Sequence, residues 1–256
     1  MPRVPGEVTH PERLETAEVT FPSGGDELRG YLARPREPGS YPGIIVVHEA
    51  FGLVEHIRDL ARRFANLGYI ALAPDLYTRV GAPDPEDRPQ VFAKMFGLED
   101  AQVVRDLEAA AAFLRAQPGA TGKVGCIGFC SGGRQTLLFA CSSDAVDAAI
   151  DCWGGFITRA TPDAVTTPQR PTPVIELVPQ LRCPLLAVFG EEDTNPSPEV
   201  AEELRVRLER AGKPGRVRVF KDAGHAFLAD YRPTYREAAA FALWPEIVDF
   251  FGEHLK

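Results

Sequence analysis

Two apolar patterns alternate along the chain. Short, mainly apolar runs recur at 44–48, 69–73, 124–127, 148–153, 185–189 and 217–220. Continuous runs of that length are what a strand buried on both faces requires. Between them, apolar residues return at helical spacing: Ile57, Leu60, Ala61, Phe64 and Leu67, then Val103, Val104, Leu107, Ala111 and Leu114. Gly68 and Pro118-Gly119 are the expected stops. Further helices are expected from about Gly133 to Ala140, over 199–211 and over 235–255. Segments 17–21 and 28–34 alternate instead and flank Ser23-Gly24-Gly25-Asp26, which predicts a β-hairpin. Strands alternating with helices predict an α/β fold, a mostly parallel sheet covered on both faces. No repeat or long break divides the chain, so one domain over 1–256 is expected, with 1–14 as a polar N-terminal arm. Residues 84–88 read as a charged, proline-containing loop. Residues 157–181, rich in Thr and Pro, read as a surface excursion, either a lid or an inert loop.

Composition acts by exclusion. Apolar and charged fractions of 45% and 25% are ordinary for a globular protein. A net charge of -8 argues against nucleic acid or an anionic membrane as partner. Cys126, Cys130, Cys141, Cys152 and Cys183 are odd in number, lie in apolar segments and never form C-x-x-C. Neither a disulfide framework nor a zinc or thioredoxin site is expected from them. The first ten residues hold no apolar run, and no stretch approaches the roughly 20 apolar residues of a membrane span. The expectation is a cytoplasmic protein acting on a small molecule, monomeric or a small homo-oligomer, without metal or cofactor.

The candidate chemistry begins at Gly128-Phe129-Cys130-Ser131-Gly132-Gly133, directly after the run 124–127. Its form is glycine, any residue, nucleophile, any residue, glycine: a strand turning sharply into a helix. Such a turn points Cys130 at a helix N-terminus, where free N–H groups favour a thiolate and a developing oxyanion. In open α/β sheets, ligands gather at the carboxyl ends of strands. Glu49, Asp193 and His225 also follow predicted strands, and the order Cys130, Asp193, His225 is that of α/β-hydrolases. His225 would take the thiol proton and Asp193 would fix the imidazole tautomer. The acyl carbon would bond to sulfur, and water activated by His225 would release it. Backbone N–H groups of Ser131, Ala50 and Phe51 would hold the oxyanion.

Taken singly, Cys130 also suits a small core residue, Asp193 a turn and His225 a packed histidine. Their order favours catalysis. Ser131 stands one position past the elbow and suits a backbone donor better than a nucleophile. Glu49 is either a loop cap or a carboxylate near the thiol. His48-Glu49-Ala50-Phe51-Gly52 lacks the second histidine of a zinc motif and ends a strand, so metal binding is rejected. Tyr77 and Trp153, with Phe51 and Phe156, lie near strand ends as candidate pocket residues.

These segments, with Ala73-Pro74-Asp75-Leu76-Tyr77, Phe189-Gly190-Glu191-Glu192-Asp193 and Gly224-His225-Ala226-Phe227, together resemble the dienelactone hydrolase family of α/β-hydrolases. The resemblance runs from about Ala17 to Leu255. It implies a lactone or small-ester hydrolase with Cys130 as nucleophile, Asp193 as acid and His225 as base. Glu49 matches a family glutamate that partners the resting cysteine and helps to generate the thiolate. Arg79 matches an arginine that binds the substrate carboxylate. Family members acting on dienelactone carry a second arginine four residues after the histidine. Here Ala229 stands there, and Arg232 follows nearby. A general carboxylesterase or thioesterase, and a redox-sensing thiol without turnover, are the rival readings.

Overall fold

The predicted strands assemble into one eight-stranded sheet. The computed structural model describes residues 4–159 and 166–256. β1 (Leu14–Ser23) and β2 (Asp26–Pro35) form the expected hairpin, in register from Leu14 opposite Pro35 to Ser23 opposite Asp26. β3 (Tyr41–Val47), β4 (Ile70–Pro74), β5 (Ala120–Phe129), β6 (Ala148–Cys152), β7 (Leu185–Gly190) and β8 (Gly215–Phe220) follow. Their spatial order is β1-β2-β4-β3-β5-β6-β7-β8. β2 is antiparallel to both neighbours, and the pairs from β4 across to β8 are parallel.

Among the described residues, α1 (Glu55–Asn66), α3 (Asp100–Arg115), α4 (Ser131–Ser142), α5 (Pro198–Arg210) and α6 (Glu237–Leu255) pack on the sheet, and α2 (Arg88–Gly97) lies outside it. Every residue of β4, β6 and β7 is buried, which is why those strands show no polar alternation. β3 shows how the two layers divide. Ile44 and Val46 pack with Phe64 of α1 and Phe251 of α6, whereas Ile45 and Val47 pack with Leu107 of α3 and Leu137 of α4. Successive side chains of a strand point to opposite faces, so one apolar run feeds both cores. Each buried Leu or Phe contributes about 1.5–3 kcal/mol.

Three expectations need correction. Residues 84–88 are not simply a loop, because Asp87 accepts the Gln90 N–H at 3.0 Å and starts α2. The 157–181 segment is not wholly a surface excursion. Ile157, Val174, Ile175 and Val178 join the core, the last three in a 3-10 helix at Val174–Gln180; residues 160–165 lie outside the described residues. The N-terminal arm is packed at residues 5–6: the Pro5 carbonyl accepts from Arg63 Nη1 at 2.9 Å, and Gly6 lies against the Trp244 ring. Its last residue, Leu14, begins β1.

Candidate active site

Cys130 joins β5 to α4 with φ 56 and ψ −119, a left-handed backbone at a non-glycine residue. Such a conformation persists only where the surroundings enforce it. Here the Cys130 N–H donates to the Cys152 carbonyl at 3.0 Å, and the Cys130 carbonyl accepts from the N–H groups of Gly133 and Arg134. The helix therefore begins at Ser131 rather than Gly133. A Cβ on Gly128 would sit 2.0 Å from the Gly132 carbonyl oxygen, and one on Gly132 would sit 2.4 Å from that of Val47. No side chain fits at either position while the elbow keeps its shape.

Asp193 and His225 come from the loops after β7 and β8. Asp193 is 5% exposed and accepts the Asn195 N–H on Oδ1 at 2.9 Å. His225 Nδ1 lies 2.7 Å from Asp193 Oδ2. With Nδ1–H donated there, Nε2 is the remaining ring nitrogen, and His225 lines the same cleft as Cys130. Burial opposes the charged imidazolium, but the hydrogen bonds to Asp193 and Cys130 outweigh it and raise the His225 pKa to about 10. A protonated imidazole beside a cysteine is the arrangement that stabilises a thiolate.

The loop after β3 supplies the opposite wall. Among the described residues, the N–H groups of Ser131, Ala50 and Phe51 donate to no protein acceptor. Donors left free at a helix start and a neighbouring loop can hold an oxyanion. The loop is anchored from behind. His48 pairs through Nδ1 with the Glu49 carbonyl at 2.7 Å and through Nε2 with the Leu76 N–H at 3.1 Å. Burial lowers its pKa, in keeping with a neutral ring that donates on one side and accepts on the other. Both nitrogens are thus engaged by backbone. Tyr77 adds a hydroxyl bond to the Ala50 carbonyl at 3.1 Å.

Glu49 is 1% exposed. Its Oε2 accepts from Arg232 Nη2 at 2.9 Å and from the Tyr231 hydroxyl at 3.3 Å. Its hydrogen bonds among the described residues thus go to these two side chains rather than to Cys130. The Arg232 guanidinium also lies 4.8 Å above the Phe51 ring.

A cleft of about 630 Å³ opens over Cys130, lined also by Ala50, Phe51, Ser131, His225 and Arg232. Its outer wall is α2 with the loop before it, contributing Arg88, Val91, Phe92 and Met95. Sequence reasoning missed this wall. The available signal was Asp87 two residues before Pro89, an N-cap followed by a proline in the first helical turn.

Three expected substrate contacts are corrected by their surroundings. Arg79 does not line the cleft: its guanidinium binds Asp106 at 2.8 and 3.1 Å and also Asp26. Tyr77 is fully buried beneath the loop that it holds. Trp153 is 1% exposed and packs on Phe129 and Phe227, bracing the elbow against the histidine loop.

Strands in this order, with a strained cysteine heading the helix after β5, define an α/β-hydrolase. Residues 28–255 match the model of the dienelactone hydrolase family. A Salmonella typhimurium protein bearing the name carboxymethylenebutenolidase is 37% identical over 99% of this chain and 93% of its own length. One of that name from Methylorubrum extorquens is 36% identical over 94% of this chain and 82% of its own. Among solved structures, a Klebsiella pneumoniae protein named as a dienelactone hydrolase superposes with a TM-score of 0.85 at 33% identity, covering 94% of this chain and 99% of that one. The chain belongs to the dienelactone hydrolase family, and it is a hydrolase of ester bonds, of which a lactone is the cyclic form.

Proposed function

We propose that this protein hydrolyses a lactone or small carboxylic ester of the carboxymethylenebutenolidase type through a thioester on Cys130. The observation that carries the reading is His225 paired with Asp193 at 2.7 Å in one cleft with Cys130, which sits at a strained elbow. His225 holds the thiol proton while sulfur bonds to the carbonyl carbon. The oxygen takes the negative charge beside the N–H groups of Ser131, Ala50 and Phe51. Collapse of that adduct breaks the C–O bond, and the departing alkoxide takes the proton from His225. In a lactone that alkoxide stays on the acyl chain. Water then gives a proton to His225 and attacks the thioester, sulfur leaves as thiolate, and the acid is released.

Arg232 and Arg88 line the cleft and Arg79 does not, which supports giving the anion-binding role to Arg232 and Arg88. A substrate carboxylate drawn to Arg232 competes with Glu49 for it. A Glu49 carboxylate so released is the group that, by the family resemblance, helps to generate the thiolate, with His225 remaining the base. All five cysteines are free, and all but Cys130 are buried, in keeping with a reducing cytoplasm.

A second reading, a broader carboxylesterase, is favoured by the apolar wall of Val91, Phe92, Met95 and Phe156. The test compares a dienelactone with p-nitrophenyl acetate for wild type and Cys130→Ala. Cys130-dependent turnover favouring the lactone supports the first reading, and turnover of the neutral ester alone supports the second. Turnover that survives Cys130→Ala overturns both.

A further inference from the structure

Through Asn195, the loop after β7 touches both Asp193 and the apolar wall of the cleft. The Asn195 N–H donates to Asp193 Oδ1 at 2.9 Å, and Asn195 Oδ1 accepts the Phe156 N–H at 3.2 Å. Asp193, Asn195 and Phe156 all line the cleft over Cys130. Phe156 ends the short turn that follows β6, with φ 57, and Trp153 three residues earlier has φ 45. Bulky residues adopt that left-handed backbone only where their surroundings enforce it. The Gly154 N–H donates to Asp151 Oδ1 at 2.8 Å and anchors the middle of the turn. Gly155 packs closely on the loop: a Cβ there would lie 3.2 Å from the Asn195 carbonyl oxygen and 3.3 Å from its side-chain amide. The Phe156 ring itself is 43% exposed and meets the Phe96 ring edge-on at 5.0 Å. So exposed a ring has little packing to aim it, and its direction follows from its backbone.

The two bonds of Asn195 divide its work. The bond to Asp193 uses the backbone and would survive a change of side chain. The side chain serves Phe156, and a backbone N–H needs an acceptor, which fixes Oδ1 rather than Nδ2 on that side. We propose that Asn195 is a positioning residue for substrate choice: its side chain holds the Phe156 turn against the acid loop, so that the Phe156 ring selects the apolar group of the ester. The link to turnover rests on the ester-hydrolase reading. The clamp itself stands apart from it, because no hydrolytic step uses the Asn195 side chain.

The test reads selectivity between esters that differ in one apolar group. Two pairs are used: p-nitrophenyl hexanoate against p-nitrophenyl acetate, and hexyl acetate against ethyl acetate. The quantity is the ratio of kcat/KM for the longer ester to that for the shorter. Wild type is expected to favour the longer ester in at least one pair. Asn195→Ala should lower that ratio about fivefold, in the range set by one neutral hydrogen bond. The change should lie in KM, because packing on an unreacting group is alike in ground and transition states. A merely structural loss would slow both esters together and leave the ratio where it was. Asn195→Asp, which keeps an acceptor oxygen, should restore the ratio. Asn195→Ser, which draws the acceptor back by one atom, replaces the alanine variant if that protein does not fold. In a Phe156→Ala background the ratio should already be low, and Asn195→Ala should lower it no further. A wild type blind to chain length overturns the proposal. So does a ratio unmoved by Asn195→Ala, one not restored by Asn195→Asp, or an equal fall with and without the Phe156 ring. Binding of p-nitrophenyl hexyl ether against p-nitrophenyl ethyl ether, measured calorimetrically, gives a readout free of catalysis. An affinity ratio lowered by Asn195→Ala supports the clamp, even where wild type turns over no ester and the hydrolase reading fails. An affinity ratio that does not move overturns it.

Discussion

The floor of the cleft and its outer wall are built by opposite means. The floor is backbone pressed on backbone: Gly128 and Gly132 admit no Cβ, Cys130 is held at φ 56, and the anchoring residues His48 and Tyr77 are buried. The wall is a ten-residue helix with only Val91 and Met95 buried, while Phe92 and Phe96 are 44% and 40% exposed. A reacting group must be placed to within fractions of an ångström, and only over-determined structure does that. Substrate choice tolerates looser packing, so the wall can vary while the chemistry stays in place.

The largest effect should come from breaking the floor. Gly132→Ala forces a methyl against the Val47 carbonyl at 2.4 Å. It should cost about 3 kcal/mol or more of stability and remove measurable turnover. Chemical denaturation with an activity assay checks both. By contrast, Cys130→Ala should abolish turnover, by about a thousandfold or more, while moving stability by less than about 1 kcal/mol.

Next is the Glu49–Arg232 pair, at the seam between floor and wall. Among the described residues, Arg232→Met leaves a carboxylate that is 1% exposed with the Tyr231 hydroxyl as its remaining donor. The loss should be about 3 kcal/mol, and adding Glu49→Gln should recover much of it. Unfolding of the four proteins in that cycle checks the expectation.

A smaller, pH-dependent effect belongs to Asp151, behind the elbow. Its Oδ1 accepts the Gly154 N–H at 2.8 Å, and Oδ2 has no partner. Burial raises its pKa from 3.8 to about 7. A carboxyl whose pKa is higher folded than unfolded contributes stability below the unfolded pKa and loses it as pH rises through the folded one. Asp151→Asn should therefore be close to wild type near pH 4 and melt higher at pH 8. A gap that does not widen with pH would contradict the sign.

The wall should give the smallest change in stability. Phe92→Ala removes a half-exposed ring and should alter stability by less than about 1 kcal/mol. KM for apolar esters should rise a few-fold with kcat unchanged, because the contact is the same in ground and transition states. Steady-state kinetics settles the split.

That contrast also explains what the sequence discloses. All eight strands are legible: parallel strands buried on both faces write themselves as short apolar runs, while the hairpin and the half-exposed edge strand β8 write themselves as alternation. Cys130 is legible because its turn demands glycines at fixed offsets, and Asp193 and His225 because each closes a strand. α2 is not legible, since a helix that buries two residues carries no apolar stripe. Arg79 misleads for a different reason. It stands just past a strand-end turn, but its partner Asp106 lies in α3, and no local pattern announces a pair 27 residues apart. Tyr77 and Trp153 mislead because a large aromatic at a strand end can turn inward as readily as toward a ligand.

The central claim is that sulfur of Cys130 carries the acyl group, and rapid quenching of p-nitrophenyl acetate turnover followed by peptide mass spectrometry tests it most directly. The account predicts one acetyl group on the peptide containing Cys130, formed and lost at rates that match turnover, and absent from Cys130→Ala. Undiminished turnover in Cys130→Ala, or an acetyl group on Ser131 instead, would contradict it.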